Sequence, residues 1–270
     1  MAEIAQAGYE GAPAGPSGKR SAQETTDLYA RYGLRPAPGY LGAEFWKPDQ
    51  RPHILERARE HARFMSEVGC TELYVAAGGF DYTTPTGRTR SQTAGHVSAE
   101  DAMSDEEFER FAEVLNEVGE ITLEAGVRSC FHNHVGTVIE TREEVDRLFS
   151  LLDRDLIFMG PDTGHLAWAG ADVVGFCRDY ADRIKTLHLK DVNESVVQRG
   201  RAEEWDYRTF NENGVFAELG EGDVDFPAVF QILREAGFEG WVITETDVTQ
   251  KPSAVESVTI SRNYLKSIGI

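Results

Sequence analysis

Leu156-Ile-Phe-Met-Gly-Pro-Asp162-Thr-Gly-His165 and, one helix length later, Ile184-Lys-Thr-Leu-His188-Leu-Lys190 decide the fold. Each is an apolar run of strand length that ends on groups able to bind or to titrate. The amphipathic segment Ala171 to Ala181 lies between them, and strand, helix, strand is the repeating unit of a parallel sheet. In the second run His188 and Lys190 alternate with Leu187 and Leu189, so the two pairs point to opposite faces. With the leucines packed outward on helices, His188 and Lys190 face inward, where a charge without a partner is costly.

The same alternation continues in both directions. Tyr9 to Pro13, Gly39 to Phe45, Glu72 to Ala76, Val127 to His134 and Gly240 to Glu245 are further strand candidates. Helices are expected at Pro52 to Val68, Ser104 to Glu124, Arg142 to Leu152, Phe226 to Ala236 and Ser253 to Ile268. The clearest begins with the capping box Ser104 and Glu107, carries Phe108, Phe111, Leu115, Val118 and Thr122 at helical spacing, and stops at Gly126. The pattern predicts one domain, residues 1–270, folded as a TIM (β/α)8-type parallel barrel. A closed barrel of this kind needs eight strands and the pattern supplies seven. The chain opens inside what reads as the helix after a first strand. Either that strand is lacking, leaving a gap beside the last one, or the recorded start lies downstream of the true one. Unpaired edges need cover, which makes a homodimer the expected assembly.

The charge balance is 46 acidic against 27 basic residues, a formal net charge of −19. Such a field repels phosphate backbones and anionic lipid, so no nucleic acid and no membrane is expected as a partner. The opening segment has no basic start followed by an apolar run, and no stretch is long and apolar enough to span a bilayer, so a cytoplasmic location is expected. Cys70, Cys130 and Cys177 show no CxxC spacing and read as buried packing residues. Gly78 to Met103 and Asn193 to Asp225 read as loops over the barrel mouth. The second carries Trp205, Tyr207, Phe210 and Phe216, a composition that favours an ordered lid.

His132, His134, His165 and His188 all fall at or just past the C-terminal ends of consecutive strands, the end where β/α barrels build their sites. Asp162, Glu245 and Glu140 join them from the same ends. Glu140, Asp162, His188 and Glu245 can converge on one ion. A mixed, mostly oxygen ligand set suits Mn2+ best and admits Co2+, Mg2+ or Zn2+. Such an ion polarises a carbonyl and stabilises the enediolate left when a neighbouring proton is removed. Glu140 and Glu245 are candidates for base and acid, with His132 as a further catalytic candidate and His134, His165 and Lys190 as substrate contacts. The blander reading of Asp162 is a helix cap, and of Glu140 a solvated residue before the next helix. Gly220-Glu-Gly-Asp-Val-Asp225 carries acidic groups that would repel phosphate. It reads as a turn that places the last helix, with Asp225 as N-cap.

Five ordered motifs, His132-Asn-His-Val-Gly-Thr137, Pro161-Asp-Thr-Gly-His165, Lys185-Thr-Leu-His-Leu-Lys-Asp191, Leu219-Gly-Glu-Gly-Asp-Val-Asp-Phe226 and Gly240-Trp-Val-Ile-Thr-Glu245, resemble those of the xylose isomerase-like TIM barrels. This is the sugar phosphate isomerase/epimerase family, and within it the chain looks closest to the inosose dehydratases. The resemblance covers nearly the whole chain. It implies that Asp162, His188 and Glu245 bind the metal, with a glutamate from the fifth-strand region as fourth ligand, and that the substrate is a small sugar or cyclitol. Two other classes compete with that reading: a degenerate, non-catalytic barrel subunit, and the endonuclease branch of the fold. The endonuclease branch needs more histidines than this mouth supplies, and the net charge opposes DNA.

Overall fold

The computed structural model describes residues 1–270. Its strands are, in chain order, β1 Gly11–Pro13, β2 Arg35–Ala37, β3 Gly39–Ala43, β4 Glu72–Ala77, β5 Arg128–His132, β6 Ile157–Met159, β7 Leu187–Leu189, β8 Asp191–Val192, β9 Phe216–Ala217 and β10 Val242–Thr244. Pro38 separates β2 from β3, so β1 pairs with β2 and β4 with β3, all parallel. The ladder continues through β5 and β6. Parallel bridges from Met159 to Ile184 and from Asp162 to His188 carry it on to β7, which pairs with β10. With β2 and β3 as one bent strand, the barrel has the seven strands read from the sequence, wrapped by helices on its outer face.

Those helices form where the apolar spacing and the caps require them. Asp105–Glu124 begins on Ser104, whose hydroxyl accepts from Glu107 N, while the Glu107 carboxylate accepts from Ser104 N in return. Phe108, Phe111, Leu115 and Val118 are buried along its inner face. Arg142–Leu151 starts on the same device, Thr141 with Glu144, and Asp225 caps Phe226–Glu235 as the sequence predicts. One apolar core joins these inner faces to the outward side chains of the strands, from Ala12 to Leu265, with Leu187 and Leu189 fully buried in it. The three cysteines are buried and free. No helix is long and apolar enough to cross a membrane.

The barrel does not close. β1 has only β2 as a neighbour and β10 only β7. Between these two edges lies a cavity of about 540 Å3, lined by Gly11, Pro13, Glu72, Arg128, Trp241 and Thr244 among others. The Trp241 ring crosses the gap so closely that a Cβ on Gly11 would stand 2.7 Å from it, and the Arg35 guanidinium covers the ring at 4.9 Å.

Both long loops are folded over the opposite end. Asn193 to Asp225 forms the helices Glu194–Ala202 and Tyr207–Glu212 and the strand β9, which pairs antiparallel with β8 just before the segment. It has its own apolar cluster of Trp168, Val192, Val197, Phe210, Val215 and Phe216 with Ala94 and Val135. Asp191 organises its return: the buried carboxylate accepts from the amides of Val192, Gly220, Gly222 and Val224. The Gly78 to Met103 loop is held by Arg90. This fully buried side chain makes two 2.8 Å bonds to the Glu144 carboxylate and donates to Thr137 O. The two loops also meet, through Tyr207 N to Ser91 O at 2.9 Å and a contact of His96 Nε2 with Trp205 O at 2.9 Å.

Candidate metal centre

Four strand ends deliver the site. His132 closes β5, Asp162 follows β6, His188 lies within β7 and Glu245 follows β10. His188 and Asp162 are neighbours because their strands pair there, and Glu245 N bonds Leu189 O at 3.0 Å, which holds Glu245 alongside the end of β7. His188 Nδ1 lies 2.8 Å from Glu245 Oε2 and 3.8 Å from Asp162 Oδ2, and His132 Nε2 lies 4.0 Å from the same Asp162 oxygen. His132, Asp162 and His188 are buried, and one ligand atom from each lies within 4.8 Å of the others, a spacing that can hold a metal ion.

Asp162 is also a cap. Its Oδ1 accepts from His165 N at 3.0 Å and starts the short helix Thr163–Trp168. Oδ1 meets the cap reading, and Oδ2 stays free of it, facing His188 and His132. Oδ2 is buried, 3.2 Å from Lys190 Nζ but outside hydrogen-bonding geometry, and His132 Nδ1 is likewise buried without a partner. Burial raises the Asp162 carboxyl above the usual carboxylate range, more than Lys190 and His188 lower it. Burial depresses His132, and the neighbouring His188 adds to the effect, which keeps the imidazole neutral as a ligand must be. Burial would raise Glu245 too, but the His188 hydrogen bond and the Lys190 charge bring it down to about 2. An orphaned carboxylate oxygen, a neutral imidazole at His132, the His188 ring and an ionised glutamate are a donor set that fits a divalent cation.

Glu140 does not join them. Six residues past His134 the chain has turned back, and the Glu140 oxygens accept from Gly95 N and Gly136 N, both at 2.7 Å, with Arg90 at 4.0 Å. It ties the first loop to the turn after β5. This corrects the ligand and base roles read from its sequence position: the amides and Arg90 already claim its oxygens, and the residue that β5 itself delivers to Asp162 is His132.

The sequence-predicted contacts form a second cluster beside the first. The His134 and His165 ring centroids are 3.7 Å apart, and Lys190 Nζ lies 3.0 Å from His165 Nε2. Asp247, which the sequence reading passed over, accepts from Lys190 at 2.9 Å. Its signal was available: it stands two residues past Glu245, on the same face of an extended chain, as Lys190 stands past His188. Burial and the Lys190 charge push His134 down to about 4. Burial alone would depress Lys190, yet Asp162, Asp247 and Glu245 together hold its ammonium above the ordinary lysine range. Aromatic rings wall the site: Tyr74 against His188 at 4.3 Å, Tyr40 against His132 at 5.5 Å, and Phe80 with Tyr207 from the two loops at 5.1 Å.

A parallel barrel open at one seam, with His and carboxylate side chains gathered at the C-terminal strand ends, defines the class. The chain belongs to the xylose isomerase-like TIM barrel family, whose model matches residues 1–267. It is 32% identical over 266 residues to an inosose dehydratase of Geobacillus kaustophilus, covering 97% of this chain and 83% of that protein. Among solved structures, the apo 3-keto-D-glucoside 4-epimerase of E. coli superposes with a TM-score of 0.72 at 16% identity, over 98% of this chain and 91% of that one. The IOLI protein with a binding zinc atom gives a TM-score of 0.71 at 15% identity, over 98% and 90%. The chain is thus related to inosose dehydratase-like enzymes, and its site is of the metal-binding sugar isomerase/epimerase type.

Proposed function

We propose that this chain, acting as one domain in the cytoplasm, is a divalent-metal-dependent enzyme that removes a proton next to the carbonyl of a keto-sugar or keto-cyclitol. Inosose dehydration is the reading best supported. One observation carries it: His132, Asp162 and His188 gather their ligand atoms, with Glu245 bonded to His188, in a chain 32% identical to an inosose dehydratase.

His132, Asp162, His188 and Glu245 would hold the ion, with Mn2+ favoured by the carboxylate and imidazole mixture. Bound there, a divalent ion polarises a carbonyl and steadies the negative charge left when the adjacent C–H proton departs. The remaining steps belong to the chain. Glu245, ionised and 41% exposed at its side chain, is the proton acceptor. Lys190, His134 and His165 hold substrate hydroxyls, and Lys190, kept protonated by its carboxylates, is placed to donate to an oxygen that leaves with its bonding electrons. Phe80 and Tyr207 exclude water above them. A homodimer remains part of this reading, motivated by the uncovered β1 and β10 edges. A monomer mass in light scattering would remove it.

The test is solvent exchange. Protein reloaded with Mn2+ is incubated with inososes and ketoses in deuterated water, and uptake of deuterium beside the carbonyl, or loss of water from the ring, is followed by NMR. The proposal expects one of these with at least one inosose. Absence of both with every inosose and ketose tried, by protein shown to hold its ion, would sink it.

A further inference from the structure

Lys190 Nζ is surrounded by four ligand-type atoms but hydrogen-bonds only two of them, Asp247 Oδ1 and His165 Nε2. It lies 2.9 Å from Asp247 Oδ1, 3.0 Å from His165 Nε2, 3.2 Å from Asp162 Oδ2 and 3.3 Å from Glu245 Oε2. The Asp162 and Glu245 oxygens are in ion-pair contact without a hydrogen bond, and four ligand-type atoms converging on one buried point are also the surroundings of a metal ion. The point is fixed, because a Cβ on Gly164 would stand 2.6 Å from Lys190 Cγ, so the lysine stem runs past the glycine in a slot that fits it.

Around that point lies a second ligand group. His134, His165 and Asp247 each offer an atom within 4.8 Å of the others. His134 Nδ1 is 2.7 Å from Val135 O, so it donates there and leaves the Nε2 lone pair free, as in imidazoles that ligate metals. Asp162 and Glu245 touch both groups: each is close to His188 on one side and to Lys190 on the other. Carboxylates in that position bridge paired ions, which sit about 3.5–4 Å apart in two-metal sites.

The geometry points to Lys190 as a tethered stand-in for a second divalent cation. Its ammonium fills the place that such an ion would take among Asp162, Glu245, His165 and Asp247, and so restricts the centre to one exchangeable ion. The charges agree with this. Three carboxylates, Asp162, Glu245 and Asp247, are balanced by one divalent ion and one ammonium. Without the ammonium a buried negative charge would lack its partner, which is strongly unfavourable. The inference rests on the metal-centre reading above and adds to it the count of ions and the reason for that count.

The experiment compares metal bound per chain after stripping with chelator, reloading with Zn2+ or Co2+ and desalting. Wild type is expected to hold one ion and Lys190→Ala two; Lys190→Ala combined with Asp247→Ala should return to one. Melting of Lys190→Ala should also respond more to Zn2+ than that of wild type. One ion in Lys190→Ala, or two in wild type, overturns the inference. None in wild type overturns instead the metal-centre reading, and is seen without any variant. Lys190→Ser is the second variant should the alanine fold poorly. Failure of both to fold even with Zn2+ present also counts against the inference, because an ion in the vacated place would restore the charge balance.

Discussion

His188 Nδ1 and Glu245 Oε2 stand 2.8 Å apart although 57 residues separate them in the chain. The contact exists because β7 pairs with β10, and it places an imidazole from one strand and a carboxylate from the other at the same mouth. Asp162 completes the group through its bridge to His188. Each of the three side chains is therefore held by backbone pairing.

The two oxygens of Asp162 have different surroundings, and substitution should separate the cap at Oδ1 from the ligand role proposed for Oδ2. Asn caps helices about as well as Asp, so Asp162→Asn should keep the fold while losing metal, with activity down at least about 10²-fold. Asp162→Ala should lose the cap as well, at a cost of about 1 kcal/mol. Metal analysis and urea denaturation distinguish the variants. Full metal content in Asp162→Asn would take this residue out of the ligand set.

Arg90 and Glu144 form a buried, two-pronged ion pair between the first mouth loop and the helix Arg142–Leu151. Breaking a buried pair leaves one charge without its partner, and Arg90→Met should cost about 3–5 kcal/mol in denaturant unfolding. The Gly78 to Met103 segment should become the first site of proteolytic cutting. A loss under about 1 kcal/mol, with the loop still resistant, would show that the pair does not anchor it.

Glu140 gives the fold a pH dependence. Burial raises its carboxyl from 4.5 to about 7 in the folded protein, against the pull of Arg90. The folded state then holds a proton that the unfolded chain releases near pH 4.5. The contribution of this group is complete below that pH and declines as pH rises to about 7, at up to about 1.4 kcal/mol per pH unit. Glu140→Gln should flatten the stability profile across that window. An unchanged slope in the variant would assign the dependence to another group.

Gly95 sits at φ +76°, and a Cβ there would come within 2.5 Å of the Trp168 indole nitrogen. Gly95→Ala adds strain and overpacking, expected to cost about 1–3 kcal/mol. Its amide also donates to Glu140, so the change should loosen the meeting of the two loops. The kinetic signature is a raised KM with metal content unaltered. An unaltered KM would mean that the loops are held by their other contacts alone.

The barrel was legible because its signals are local: apolar runs, the capping box at Ser104, and the His188/Lys190 alternation. The placement of a candidate side chain was legible where it sits on a strand or one residue past it, as with His188 and Glu245, since pairing then fixes its place. Glu140 was misplaced because its position depends on the path of the turn from Asn133 to Ile139. Its long-range partners Arg90 and Gly95 decided that path. Asp247 was passed over because Glu245 already satisfied the pattern at that strand end. The open seam was expected from the strand count, but the tryptophan lying across it was not, because that depends on which side chain the gap admits.

That tryptophan makes the seam observable. Trp241 touches Gly11 across two edges that share no backbone bonds, while Trp168 is buried at the loop end of the barrel. Fluorescence from single-tryptophan versions of the protein can therefore time two events independently: parting of the staves at one side, and lifting of the cover at the top.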